Sequence, residues 1–90
     1  DMKIELSPLA GKQLRKLTKI DQIAVAQKIR SLQDISSSAI QPEKLSGYKG
    51  VYRIRVGNLR IVYRIFPDKL YVILIHHRKD VYQLLARLLK

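Results

Sequence analysis

Four arginines, Arg53, Arg55, Arg60 and Arg64, crowd into one short stretch, and no Asp or Glu occurs between Tyr48 and Phe66. A guanidinium is a planar fork that matches the oxygens of a phosphate, which a lysine ammonium is not. Lysine would keep an exposed face wet equally well. Arginine at all four positions therefore points to phosphate binding. A second group follows as His76-His77-Arg78-Lys79-Asp80-Val81-Tyr82. Histidine exchanges a proton near neutral pH, so one beside arginines is a candidate for proton transfer. Tyr82 suits either stacking on a base or anchoring a helix. Adjacent histidines on a strand point to opposite faces and no third ligand follows at a plausible spacing, so no metal site is expected. There is no Gly-rich phosphate loop and no nucleophile elbow. The basic half lacks the carboxylate pairs that two-metal nucleases need. No cofactor is implied.

The overall balance agrees with an acidic partner. The chain has 90 residues, with 18 Lys and Arg against 7 Asp and Glu, for a net charge of +11. That excess strains a compact state through self-repulsion. Nucleic acid is the first expected partner and an acidic protein the second. The hydrophobic fraction of 47% is ordinary for a folded protein. Length suits a single domain over residues 1–90. No apolar run reaches the ~20 residues of a membrane span. Nor does the start read as a signal peptide, because Met2, Ile4 and Leu6 alternate with Lys3 and Glu5. Cysteine is absent, which fits a cytoplasmic protein.

The elements that must hold these residues can be read from periodicity. Residues 2–6 alternate and predict a strand. Ser7-Pro8 is a helix start, since proline's missing N–H would be unpaired there anyway. The first helix is expected over about 8–18, and a second from a cap at Asp21 to about Asp34, with Val25, Ile29, Leu32 and Ile35 as its stripe. The two form a helical hairpin joined near Lys19-Ile20-Asp21. Ser36-Ser37-Ser38 and Gln41-Pro42 form a loop. Strands are expected at 51–56, 59–66 and 70–75, the last apolar throughout and therefore central. A tail helix capped by Asp80 would carry Val81, Leu84, Leu85 and Leu88. The expected class is α+β, an N-terminal strand and αα-hairpin packed on a small, predominantly antiparallel twisted sheet, in the order β-α-α-β-β-β-α.

Gly57-Asn58 reads as a two-residue turn. Val56 then pairs with Leu59, Arg55 with Arg60, Ile54 with Ile61, Arg53 with Val62 and Tyr52 with Tyr63. Parity places Tyr52, Ile54, Val56, Leu59, Ile61, Tyr63 and Ile65 on one face, and Arg53, Arg55, Arg60, Arg64 and Val62 on the other. Arg55 opposite Arg60 is destabilising on its own. A register slip of one residue would scatter the set.

Lys44-Leu45-Ser46-Gly47, Tyr52-Arg53-Ile54-Arg55-Val56-Gly57, Leu59-Arg60-Ile61-Val62-Tyr63 and His77-Arg78-Lys79-Asp80-Val81-Tyr82 resemble the RelE/ParE toxin superfamily. The last motif resembles the RelE branch of mRNA interferases more than the gyrase-poisoning ParE branch. The resemblance implies a type II toxin that enters the ribosomal A site and cuts messenger RNA without metal. There the ribose 2′-hydroxyl attacks its own 3′ phosphate and leaves a 2′,3′-cyclic phosphate. By the same resemblance Arg53, Arg55 and Arg60 position and neutralise the scissile phosphate, Arg78 is the candidate general acid and Tyr82 stacks near the reacting nucleotide. Lys44, Lys49, Arg64, His77 and Lys79 are expected to bind RNA. Implied partners are the ribosome, mRNA and an acidic RelB-like antitoxin that covers the basic face or displaces the tail helix. Two departures stand out. Arg55 occupies the place of a lysine base although a guanidinium does not release its proton, so His77 is expected to assist. The spacing from Arg78 to Tyr82 is short. The other readings are a ParE-like gyrase inhibitor and a non-catalytic RNA- or ribosome-binding module.

Overall fold

A computed structural model of the chain describes residues 2–33, 43–45, 47–77 and 86–88. Strand β1 spans Lys3–Leu6. Helix α1 spans Pro8–Lys16 and α2 Lys19–Gln33. The remaining strands are β2 (Glu43–Lys44), β3 (Val51–Val56), β4 (Leu59–Ile65) and β5 (Lys69–His76). They form one mixed sheet in the order β1-β5-β4-β3-β2. Only β1 and β5 run parallel; the other neighbours are antiparallel. The expected α+β class is found, and β2 is an added edge that periodicity could not reveal in so short a piece.

Ser7 joins the two halves of the chain. Its hydroxyl caps α1 by accepting from the Ala10 N–H at 2.9 Å and donates to the Ile73 carbonyl at 2.6 Å. Its own N–H donates to the Val72 carbonyl at 2.9 Å. The helical connection lies earlier than expected. Helix α1 stops at Lys16, and Thr18 takes the capping role assigned to Asp21, its Oγ1 accepting from the Asp21 N–H at 3.2 Å. Asp21 sits instead in the first turn of α2, where a carboxylate still favours the helix dipole. The expected tail helix and its Asp80 cap lie outside the described residues, save 86–88, which are helical.

The helices cover one face of the sheet. Val25 and Ile29 of α2 and Ala10 of α1 pack on Ile54, Leu59, Ile61, Tyr63, Leu70, Val72 and Ile75. Ile4 and Leu6 join them from β1. A smaller cluster lies on the opposite face, where Val51, Val62, Ile73 and Leu74 meet Leu45, with Leu9, Tyr48 and Tyr71 around them. That cluster explains Val62, which parity left among the arginines: it is fully buried there, together with Val51. It also accounts for the uninterrupted apolar run of β5, which faces apolar neighbours on both sides.

A register shift between Val62 and Tyr63 gives β5 one more residue than β4 across the pair. Val62 lies opposite Leu74 and Tyr63 opposite Val72, so Ile73 is the extra residue. Its carbonyl is the one that Ser7 binds.

Among the described residues Tyr63 is the largest fully buried side chain, stacked on Tyr52 with ring centroids 5.8 Å apart. Burial, and then the neighbouring Tyr52, push its hydroxyl above the ordinary tyrosine range. That hydroxyl has no hydrogen-bond partner among the described residues. An unpaired buried hydroxyl costs about 1–3 kcal/mol. Tyr63→Phe is therefore expected to leave the urea unfolding midpoint unchanged or raised. A loss of more than ~1 kcal/mol would mean that the hydroxyl is satisfied after all.

Candidate phosphate-binding site

The β3–β4 hairpin adopts the register that the two-residue turn requires. Val56 faces Leu59, Arg55 faces Arg60, Ile54 faces Ile61, Arg53 faces Val62 and Tyr52 faces Tyr63. Gly57 has φ +59°, while Asn58 does not enter the left-handed region. A positive φ at the first central position alone is the II′ arrangement, whose twist matches the strands and which glycine adopts without strain.

The next strand extends the pattern. Arg60 lies opposite His76 of β5. Arg55, Arg60 and His76 thus form one row across β3, β4 and β5, with neighbours about 5 Å apart at the backbone. Arg53 stands one step along β3 on the same face, opposite Val62 on one side and the Glu43 backbone position on the other. Arg55 is exposed, and Arg53, Arg60 and His76 are half-buried. Exposed does not mean unheld: the Arg55 Nε donates to the Gly57 carbonyl at 3.0 Å, tying the guanidinium to the turn. The face therefore presents several cationic forks on a rigid sheet, which can neutralise and orient one phosphodiester.

The remaining expected residues distribute unevenly. Arg64 shares the parity of Arg60 but lies four residues along β4, roughly 13 Å away, and the apolar cluster around Val62 intervenes. Its Nε is buried without a hydrogen-bond partner among the described residues. It lines a cavity of about 410 Å³ with Ser7, Leu9, Phe66, Tyr71 and Ile73, so it is not brought into the row. Lys44 pairs with Tyr52 and so has the opposite parity to Arg53. Lys49 is exposed in the turn before β3 and lies with Lys44 around a shallow hollow beside Tyr48. His77 is exposed just past the end of β5. Arg78, Lys79 and Tyr82 lie outside the described residues.

His76 is the residue that sequence reasoning passed over. The signal was weak, because an apolar run shows no alternation and the extra residue in β5 cannot be counted in advance. Among the described residues no group of three or more His, Asp or Glu side chains is placed to hold a metal ion. No helix among them is long and apolar enough to cross a membrane.

The chain matches the family described as the ParE toxin of type II toxin-antitoxin systems, parDE, over residues 4–82. It belongs to that family, within the RelE/ParE superfamily, and is a toxin of a type II toxin-antitoxin system. Solved structures share the fold. The E. coli toxin RelE, as a mutant in the free state, superposes with a TM-score of 0.75 at 22% identity over 99% of this chain and 98% of that one. RelE in the RelB-RelE antitoxin-toxin complex of Methanococcus jannaschii gives 0.70 at 26% identity, over 89% of this chain and 96% of that one. YoeB from Staphylococcus aureus, a dimer, gives 0.71 at 21%, over 86% and 97%. Among curated protein sequences none matches.

The Arg55–Arg60 pair makes a stability prediction of its own. Like charges directly opposite on a sheet oppose folding. Arg60→Thr should raise the midpoint of chemical unfolding, by up to ~1 kcal/mol, and the gain should shrink as salt screens the pair. A destabilised variant, or a gain indifferent to salt, would show that another contact already relieves the repulsion.

Proposed function

We propose that this toxin is a RelE-type, ribosome-dependent endoribonuclease that cleaves messenger RNA in the A site. The observation that carries the reading is the row Arg55–Arg60–His76 with Arg53 beside it on one face. A fold held together by burial gains nothing from stacking like charges in register. A dianionic phosphorane does gain, because preorganised donors aimed at developing charge lower its energy. The attacking oxygen is the RNA's own 2′-hydroxyl. The protein then supplies orientation, charge stabilisation and proton transfer. Arg53, Arg55 and Arg60 hold the scissile phosphate; Arg78 and Tyr82 complete the site as acid and stacking partner, with Lys79 and His77 on the RNA nearby. The same chemistry fits a cytoplasmic protein acting on translated messages.

RelE of Methanococcus jannaschii forms a complex with RelB, and this chain is proposed to be held inactive by an acidic antitoxin of the same kind. A net charge of +11 provides the attraction. The match to the ParE family keeps a second reading, gyrase inhibition on the same scaffold.

Expression in cells separates the two. Arg60→Ala should abolish growth arrest while the purified variant still folds, and the corresponding cleavage rate should fall about 10²–10³-fold. Primer extension on translated messages should show cuts within codons. Intact messages accompanied by loss of supercoiling would establish the gyrase reading in its place.

A further inference from the structure

Three of the four groups named for the phosphate are arginines, and a guanidinium only donates hydrogen bonds. It can bind the phosphorane and it can face a leaving oxygen. It cannot take a proton from the attacking hydroxyl. The row nevertheless contains one side chain with an acceptor nitrogen, His76, set opposite Arg60 on the same face as Arg55. Imidazole is also the side-chain type that exchanges a proton near neutral pH.

We infer that His76 is the general base of the cleavage reaction, an inference that rests on the nuclease reading above. As the O2′–phosphorus bond forms and the phosphorus–O5′ bond breaks, the proton on O2′ passes to the imidazole. The departing 5′-oxygen takes a proton from water or from a cationic donor of the site, and His76 later returns its proton to solvent. The base then stands on β5, at one end of the row, and the turn-anchored Arg55 at the other. Arg55 is relieved of a role its chemistry forbids, and His77, exposed past the strand end, is not needed for it.

Among the described residues, the groups on the elements around His76 fit this assignment. From β4 it faces Arg60, and from β3, one strand further, Arg55. Strand β1 ends at Leu6, opposite Val72, and its Glu5 is engaged with Lys69 at 3.1 Å, at the far end of β5. From α1 the group that reaches this end of the strand is the neutral Gln13, whose Oε1 accepts from the Ile75 N–H at 2.7 Å. Among the described residues, a second candidate acceptor is carried at the backbone position of Glu43, opposite Arg53. It is the competing acceptor and has to be tested beside His76.

The experiment is single-turnover cleavage of mRNA on programmed ribosomes by the full chain, across pH. The parent is expected to lose activity toward acid along a limb of the profile, as a base that must be neutral to act requires. His76→Gln should cut about 10²–10⁴-fold more slowly, with that limb gone and part of the rate restored by added imidazole. His76→Arg puts in the row a guanidinium that takes no proton, and should bind the ribosome at least as tightly as the parent while showing the same flat, slow profile. His77→Gln and Glu43→Gln should retain the limb. A limb that survives in His76→Gln or His76→Arg, or disappears in Glu43→Gln instead, overturns the assignment and leaves the nuclease reading standing. A parent that cuts no message on ribosomes overturns both.

Discussion

The site depends on strand register. A two-residue turn at Gly57-Asn58 fixes which residues of β3 and β4 stand opposite one another, and parity does the rest. One face receives the apolar side chains that α1 and α2 cover, and the other receives the arginines. The same covalent alternation thus builds the core and assembles the cations. Burial of Ile54, Leu59, Ile61 and Tyr63 holds Arg53, Arg55 and Arg60 together against their own repulsion.

This arrangement separates stability from chemistry in space. The larger cluster packs under the helices, and a lesser one around Val62 and Leu74 seals part of the arginine face. That second cluster divides the face in two. The end near the Gly57 turn carries the row of Arg55, Arg60 and His76. The other end carries Arg64 beside an apolar cavity near the start of α1. Four arginines of one parity are therefore not one site.

Much of this could be read from residues alone, and the reasons are physical. The hairpin was legible because Gly57 permits one turn type and strict alternation allows one pairing. Ser7-Pro8 announced α1 because capping chemistry is local. The start of α2 was misjudged by a few residues, since both Thr18 and Asp21 can cap and only packing chooses between them. His76 was illegible for a different reason. An apolar run such as β5 carries no record of which side each residue faces, and the extra residue at Ile73 inverts the count between its two halves. Strand β2, at two residues, is too short for any period to register.

The extra residue at Ile73 makes β5 behave like a text with a reading frame. Upstream of it the strand is phased by its parallel partner β1 and by the Ser7 clasp; downstream it is phased by β4 alone. Swapping one aliphatic side chain for another leaves both phases intact. Loss of the extra residue alone would leave regular alternation from Val72 to His76, with the imidazole still opposite Arg60, whereas an added residue would have to be taken up by a second bulge to keep that pairing. The bulge is thus where this strand can change length while His76 and Arg60 stay side by side.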